Sequence, residues 1–209
     1  ISIKKNKDSA NVIVVDSNGI KSNIECDGII NAAGPWSNKV AKLINQNVEL
    51  QLTRGCGIFF PGQLVSKAIN RCRIPNNNDI MCPSGNESLW GTTSNVVYNT
   101  ESPKTTSDEV QELLLGAEEL FPNIRNYKSF RTWSGIRPLI KPKKINKNLP
   151  LSRSHKVIDH EVEGLKNFLT ICGGALTTHR LMAEDVVNKL GKKFGLDIEC
   201  TSHVTPLLK

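Results

Sequence analysis

Two short runs near the beginning of the chain contain β-branched apolar residues and are separated by turn residues. The runs cover residues 11–16 and 20–25, and Ser17-Asn18-Gly19 stands between them. Valine and isoleucine are typical of β-strands, and an Asn-Gly pair supplies the positive φ angles of a tight hairpin turn. The sequence therefore predicts a β-hairpin as the first structural feature.

Two later segments change from a strand pattern to a helical pattern through small residues. In the first, an apolar strand at residues 27–31 leads into Ala32-Ala33-Gly34, and Pro35 then suits the first position of a helix. Small residues at such a turn let a ligand approach the backbone closely. Close packing of the strand against the helix would also explain Gly34.

The second segment, near the end of the chain, carries the functional hypothesis. Residues 168–172 are apolar, Gly173 and Gly174 follow, and a helical period begins directly afterwards. This period predicts a helix with one buried side and one solvent-facing side. The predicted buried residues are Leu176, Ala183, Val187 and Leu190, and the predicted solvent-facing residues are Arg180, Glu184, Asp185 and Lys189. Unpaired N–H groups at the helix start, beside glycines, would bind negative charge. Alternatively, the glycines only end the strand.

Between these segments the sequence predicts a separate, sheet-rich region. Short β-like pieces indicate a largely antiparallel sheet, at residues 57–60, 67–73, 79–83 and 88–92. Thr106 and Glu109 have the spacing of a capping box, which predicts the start of an amphipathic helix that Pro122 ends. A further strand is predicted at residues 151–161, with a turn at Glu163-Gly164 after it.

Arg137 is the first candidate for substrate binding. It stands just before a proline, in a rigid segment with apolar neighbours. A guanidinium group in such a place suits bidentate binding of a carboxylate or a phosphate. A structural salt bridge would explain the same residue.

Composition limits the classes of protein to which the chain can belong. Of the 209 residues, 38% are hydrophobic, and the longest apolar run is far shorter than the ~18 residues of a spanning helix. The net charge of +7 is concentrated in residues 141–156, where little aromatic character accompanies the basic residues. We therefore expect no nucleic-acid partner. A solvated loop with a small anionic substrate nearby would also explain this basic segment.

The six cysteines contain no C-x-x-C pair and no histidine at ligand spacing, so we predict no metal site. We expect most of them to be free, buried thiols in a reducing cytoplasm. Because the chain starts without Met and shows no signal peptide, we expect a piece of a longer cytoplasmic protein.

Five motifs in one order resemble a known family. They are IINAAGPWS (29–37), INRCRIP (69–75), LWGTTS (89–94), WSGIRPL (133–139) and GGALTTHRLMAE (173–184). This combination resembles the FAD-dependent glycerol-3-phosphate dehydrogenases, above all the catalytic chains of the anaerobic enzymes, within the D-amino-acid-oxidase-like flavoproteins.

The resemblance implies an α/β (α+β) fold with two domains. A partial FAD-binding domain, residues 1–46 and 166–209, would be interrupted by an antiparallel-sheet substrate-binding domain, residues 47–165. The GxGxxG unit that holds the pyrophosphate in this family is absent from the sequence. We therefore expect little FAD to be retained by this chain alone.

The resemblance also assigns site residues. Those implied to contact FAD are Ala33, Gly34, Gly173, Gly174, Leu176 and Thr177, and those implied to bind substrate are Arg137 and Arg153. The catalytic base stays unassigned. Relatives read GGKLTTYR where this chain has Ala175 and His179, so one charged contact of the family is missing.

The implied reaction is oxidation of sn-glycerol 3-phosphate to dihydroxyacetone phosphate by hydride transfer to FAD. Electrons would then pass through partner subunits towards quinone at the inner face of the membrane. Two alternatives are a flavin oxidoreductase for another small 2-hydroxy acid or amino acid, which Ala175 favours, and a binding module without catalysis. An unpaired sheet edge would favour self-association.

Overall fold

The computed structural model describes residues 1–5, 9–73, 78–101, 104–127, 131–142, 151–161, 165–197 and 199–206. The chain divides into two compact units. The first unit comprises residues 1–50, 138–146 and 151–209, and the second comprises residues 51–137 and 147–150. The first boundary lies at residue 50 instead of 46. The predicted boundary at residue 166 differs more, because a strand at His155–Asp159 pairs with Phe168–Gly173 and so belongs to the first unit.

The described strands are, in chain order, β1 (Ser2–Lys5), β2 (Ala10–Val15), β3 (Lys21–Cys26), β4 (Ile29–Asn31), β5 (Leu50–Pro61), β6 (Ile69–Asn70), β7 (Ile80–Ser84), β8 (Glu87–Gly91), β9 (Asn95–Val96), β10 (Arg131–Ile140), β11 (His155–Asp159) and β12 (Phe168–Gly173). The α-helices are α1 (Ser37–Lys42), α2 (Ser107–Glu118) and α3 (His179–Lys193). Short 3-10 turns span Gly34–Trp36, Ile124–Asn126 and Leu176–Thr178. The predicted mixed fold of sheets and helices is confirmed.

In the first unit, the predicted hairpin is confirmed as β2 and β3, with β1 added on the outer side of β2. The Asp16 carboxylate accepts hydrogen bonds from the backbone N–H groups of Asn18 and Ile20. Gly19 has a φ of +79°, as the turn requires. The sequence pattern therefore predicted both the strands and the chemistry of the turn.

The second sheet of this unit has the order β11-β12-β4. Strand β12 pairs antiparallel with β11 and parallel with β4. From Phe168 to Cys172 every residue of β12 is buried. Alternate side chains pack on opposite faces: Cys172 contacts Ala41 of α1, and Ile171 contacts Val186 of α3. Self-association through an edge of this sheet stays a prediction.

The predicted buried side of α3 is wrong in most of its residues. Leu176 is 88% exposed and Val187 is 55% exposed. The side that packs on the sheet is instead formed by Met182, Val186 and Leu190, which are four residues apart. The predicted stripe counted Leu176 as part of the α-helix, but it lies in a 3-10 turn of about three residues per turn, so its direction does not follow the later helix.

The second unit is built on an antiparallel sheet of order β10-β5-β8-β7-β6, with β9 also paired to β5. One face of this sheet carries the core, where Ile58, Phe60 and Trp90 pack against Leu113 and Ala117 of α2. The predicted antiparallel sheet is confirmed, but β5 is a single strand of 12 residues, and the predicted strand at residues 67–73 is reduced to Ile69–Asn70.

The capping box at the start of α2 is confirmed. The Thr106 hydroxyl accepts a hydrogen bond from the Glu109 backbone N–H, and the Glu109 carboxylate accepts one from the Thr106 backbone N–H. All six cysteines are free, as predicted. The expectation that most are buried is wrong, because only Cys56 and Cys172 are buried, and burial raises the pKa of both thiols.

Several predictions fall on residues outside the described part of the chain. These are most of the basic segment, at residues 143–150, the turn at Glu163-Gly164, and the end of the INRCRIP motif, at residues 74–75. Among the described residues, every helix is too short or too polar to cross a bilayer.

Candidate functional site

Arg137 lies on the face of the second unit's sheet that is turned away from the core. Its guanidinium group rests on the backbone of β5 at Gly55, where any Cβ atom would overlap the Arg137 nitrogens. Two residues further along the same face, Gly57 leaves room for the indole of Trp133 in the same way. Glycines at alternate positions of β5 therefore make a flat floor on which a planar cation and an aromatic ring lie.

Two hydrogen bonds fix the Arg137 guanidinium in this position. Its Nη2 donates to the Thr92 hydroxyl at 2.8 Å, and its Nη1 donates to the Thr93 carbonyl at 3.1 Å. Both acceptors are neutral oxygens, and both belong to the segment that follows β8. This arrangement holds a positive charge in a defined orientation, which suits recognition of a small anion.

Thr93 is in turn held by a buried carboxylate. Its hydroxyl lies 3.5 Å from the Glu109 carboxylate and accepts the Cys56 backbone N–H at 3.0 Å. Glu109 is 3% exposed and also accepts hydrogen bonds from Arg54 and Asn95. We call Glu109, Arg54, Asn95 and Thr93 the Glu109 network.

Glu109 is charged in this network in spite of its burial. Burial alone would raise the pKa of the carboxyl group. The hydrogen bonds from the Thr106 backbone, Asn95 and Arg54 outweigh burial and lower the pKa to about 2. A fixed negative charge therefore lies beneath the segment that holds Arg137.

In the first unit, the predicted cofactor contact at Ala33 and Gly34 is an open turn between β4 and α1. Gly34 has a φ of +54°, and within the described residues no heavy atom lies within 4 Å of where its Cβ would be. The side chain of Asn31 spans the turn, since its Oδ1 accepts from the Ala33 N–H at 3.3 Å and its Nδ2 donates to the Ser37 carbonyl at 2.9 Å. Bare backbone held open in this way fits close approach of a ligand.

The second predicted contact, at Gly173 and Gly174, has a different physical basis. Both residues have φ angles near +75°, at +75° and +74°. A Cβ on Gly173 would overlap the Ser154 carbonyl, and one on Gly174 would overlap the Met182 sulfur. Packing within the protein therefore requires both glycines, and their lack of side chains does not by itself indicate a ligand.

The turn after these glycines presents backbone donors. Ala175 is extended, and the Thr178 hydroxyl accepts from its N–H at 3.2 Å and donates to its carbonyl at 2.9 Å. Leu176 and Thr177 open the 3-10 turn, so their N–H groups have no acceptor within it. Together with the positive end of the α3 dipole, these donors suit a partial negative charge.

His179 and His155 have structural contacts of their own. His179 Nδ1 lies 2.8 Å from the Leu176 carbonyl, which identifies this nitrogen as a donor that ties the first turn together. His155 Nε2 lies 2.5 Å from the Asp185 carboxylate and so joins β11 to α3. Arg153 is exposed, just before β11.

The predicted site residues are distributed over both units. Ala33, Gly34, Arg153 and the residues from Gly173 to Thr177 belong to the first unit, whereas Arg137 belongs to the second. The convergence of Arg137 and Arg153 on one substrate stays a prediction. Sequence reasoning missed Gly55, Thr92, Thr93 and the role of Glu109. The alternation of glycines in LTRGCG and the two threonines after β8 were the available signals.

The sequence profile of a family described as "FAD dependent oxidoreductase" (DAO) matches residues 1–189 of the chain. The chain belongs to this FAD-dependent oxidoreductase family. The cofactor of the family is FAD, and the open turn at Gly34 and the donors at Leu176 and Thr177 fit such a group.

Within this family, the resemblance seen in the sequence is confirmed by similarity to curated relatives. The chain is 34% identical over 177 residues to the A subunit of anaerobic glycerol-3-phosphate dehydrogenase from Escherichia coli K12, covering 83% of this chain and 33% of that protein. It is 30% identical over 187 residues to the A1 subunit of the enzyme from Haloferax volcanii, covering 88% of this chain and 32% of that protein. The chain thus spans about a third of the length of these relatives.

Solved structures of flavoproteins share this fold. Glycerol-3-phosphate dehydrogenase from Bacillus halodurans, complexed with FAD, superposes with a TM-score of 0.73 at 21% identity, over 97% of this chain and 40% of the other. Iminodiacetate oxidase from Chelativorans superposes with a TM-score of 0.65 at 16% identity, over 98% of this chain and 52% of the other. At these identities the likeness extends to the fold alone.

Proposed function

We propose that this chain is part of a flavin-dependent dehydrogenase that oxidises sn-glycerol 3-phosphate to dihydroxyacetone phosphate. The proposal is supported by identity of 30–34% to the anaerobic dehydrogenases and by the chemistry of the two units. The observation that carries it is Arg137, a cation held flat on a glycine floor and oriented by Thr92 and Thr93.

The first unit would supply the contacts to the cofactor. FAD, when bound, supplies the acceptor for the hydride that leaves C2 of the substrate. Ala33 and Gly34 would leave room for the cofactor beside the backbone. The N–H groups of Leu176 and Thr177 would face a part of it that becomes more negative on reduction, and so would favour the reduced form.

The second unit would hold the substrate. The Arg137 guanidinium carries a full positive charge and is preorganised by its two hydrogen bonds. Little ordering entropy would then be lost when it binds the substrate phosphate. Arg153 stays a second candidate for binding the phosphate, because two guanidinium groups suit a dianion.

Two further parts of the proposal concern partners and location. The relatives from E. coli and H. volcanii are both named as one subunit of a dehydrogenase. We propose that the protein containing this chain likewise works with electron-transfer and membrane-anchor subunits, in the cytoplasm at the inner face of the membrane. The substrate is a small phosphorylated molecule, and neither unit is proposed to bind nucleic acid.

Anaerobic titration of the purified protein that contains this chain tests the proposal. We expect sn-glycerol 3-phosphate to bleach the absorbance band of the bound flavin. One dihydroxyacetone phosphate should appear for each flavin that is reduced. The enantiomeric sn-glycerol 1-phosphate is the matched control and should leave the flavin oxidised.

Ala175 favours one second candidate, an oxidoreductase for a small 2-hydroxy acid or amino acid, because the family lysine is absent there. Bleaching by such an acid, with none by glycerol 3-phosphate, would replace the first proposal with this one. A protein that binds no flavin would contradict both and would favour a binding module.

A further inference from the structure

A line of buried polar side chains crosses the β11-β12-β4 sheet of the first unit. It consists of Asn31 on β4, Thr170 on β12 and His160 directly after β11, exposed by 3%, 0% and 6% respectively. Asn31 Nδ2 donates to the Thr170 hydroxyl at 3.1 Å, and that hydroxyl lies 2.8 Å from His160 Nε2. Buried polar groups are costly unless they are paired, so this line needs an explanation.

The directions of these hydrogen bonds can be assigned. The Thr170 hydroxyl accepts from Asn31, which leaves its own proton to be donated. In the described part of the chain, His160 Nε2 is the acceptor within reach. Burial lowers the pKa of His160 and so favours the neutral ring that can accept this proton, and the ring lies edge-on to Phe168 at 5.4 Å between centroids.

The line ends at the turn proposed to contact FAD. Asn31 holds both sides of that turn, at the Ala33 N–H and at the Ser37 carbonyl, while its Nδ2 also needs the Thr170 oxygen. Loss of the Thr170 hydroxyl would remove one of the three hydrogen bonds that fix the amide and would leave one Nδ2 proton of Asn31 unpaired in a buried site. The orientation of the Ala33–Gly34 backbone thus depends on an acceptor on the neighbouring strand.

We propose that Thr170 and His160 are positioning residues, which act through Asn31 to hold the Ala33–Gly34 turn in the shape that receives FAD. This inference rests on the proposed function for the identity of the ligand at that turn. It goes beyond that function in assigning a role to three residues that touch the turn or one another.

Two substitutions of Thr170 distinguish the effect of its hydroxyl group from the effect of its side-chain volume. Thr170→Val removes the hydroxyl at nearly constant volume, whereas Thr170→Ser keeps it. Thr53→Val makes the same chemical change at another fully buried threonine, whose hydroxyl has no hydrogen-bond partner among the described residues. The FAD dissociation constant is measured from quenching of flavin fluorescence in the full protein that contains this chain, and exchange of the Ala33 amide hydrogen is measured in the same protein without FAD.

We expect Thr170→Val to weaken FAD binding roughly tenfold and to speed exchange at Ala33, because one buried hydrogen bond is lost. Thr170→Ser and Thr53→Val should both stay close to the wild type. An unchanged FAD dissociation constant in Thr170→Val, or equal losses in Thr170→Val and Thr170→Ser, would overturn the inference.

A second pair covers the case in which Thr170→Val does not fold. His160→Gln keeps an acceptor for the Thr170 hydroxyl, and His160→Leu removes it. We expect weaker FAD binding in His160→Leu alone, and equal binding in the two would overturn the inference. If the wild type binds no FAD, the proposed function fails, but exchange at Ala33 still decides whether the line holds the turn.

Discussion

Each unit of the molecule contains a buried polar network beneath a candidate binding surface, and the two networks differ in charge. In the second unit, Glu109 is ionised and is paired with Arg54 beneath the segment that orients Arg137. In the first unit, Asn31, Thr170 and His160 are all neutral and hold the turn at Gly34. The surface proposed to bind substrate and the turn proposed to contact FAD thus rest on networks of different charge.

This difference has a physical reason. The ionised Glu109 pairs with Arg54 and with the Thr93 hydroxyl, and it keeps the segment that supports Arg137 in place over a wide pH range, since the pKa of Glu109 is about 2. Burial of neutral side chains costs less free energy than burial of a charge, but a neutral network is stable only when each of its polar groups is paired. The neutral network should therefore be the more sensitive of the two to a single lost hydroxyl.

The largest expected effect is that of Arg137 on substrate. Arg137→Ala should lower kcat/KM for glycerol 3-phosphate about a hundredfold, as expected when a charge-assisted contact is lost. Arg137→Lys keeps the charge but loses the planar guanidinium group, so its kcat/KM should lie between those of the wild type and Arg137→Ala. Thermal unfolding is measured alongside, and a rate that falls only in proportion to lost folded protein would reject the substrate role.

Glu109 should have an effect of similar size, on stability. Its pKa is about 2 in the folded chain and 4.5 when unperturbed, so the unfolded state binds more protons between these values. Stabilisation of about 3 kcal/mol is therefore present above pH 4.5 and is lost as the pH falls towards 2.

Glu109→Gln should remove most of this stabilisation at neutral pH and flatten the dependence of unfolding free energy on pH in that window. Denaturant titrations at several pH values would measure it. Parallel curves for wild type and variant would show that Glu109 is not the group responsible.

The sequence predicted local features better than it predicted these networks. The hairpin, the capping box and the antiparallel sheet follow from short-range patterns, and all are present. The side chains that pair across strands, such as Asn31 with Thr170, are 139 positions apart in the chain, and no local pattern encodes such a pair. The error in the buried side of α3 has the same origin, because packing of Met182, Val186 and Leu190 on the sheet determines which side is buried.

The candidate site was predicted in part for the same reason. Arg137 and the glycine turns stand out because their residue types are unusual in a strand or at a helix start. Glu109 was recognised only as a helix cap, although it also pairs with Arg54 from 55 positions away. The role of a side chain with both local and distant partners cannot be seen from its spacing alone.

A smaller effect is expected from a methyl group at Gly34. Gly34→Ala and Gly19→Ala both place a side chain at positive φ, with open space around the Cβ in the described structure, so each should cost about 1 kcal/mol of stability. Only Gly34→Ala should also weaken FAD binding. Equal FAD dissociation constants for the two variants would exclude Gly34 from the cofactor contact.

The smallest effect is predicted at Ser37, whose buried hydroxyl has no partner within the described residues. Asn31 uses the backbone carbonyl of Ser37 and not its side chain. Ser37→Ala should therefore leave FAD binding unchanged and alter the free energy of unfolding by less than about 1 kcal/mol. A loss of FAD affinity would place this hydroxyl in the neutral network.

The division of labour between the two networks is tested most directly by the FAD dissociation constants of Thr170→Val and Glu109→Gln, measured side by side in the protein that contains this chain. We expect roughly tenfold weaker binding for Thr170→Val and an unchanged value for Glu109→Gln. Equal weakening in both variants, or none in either, would contradict this division.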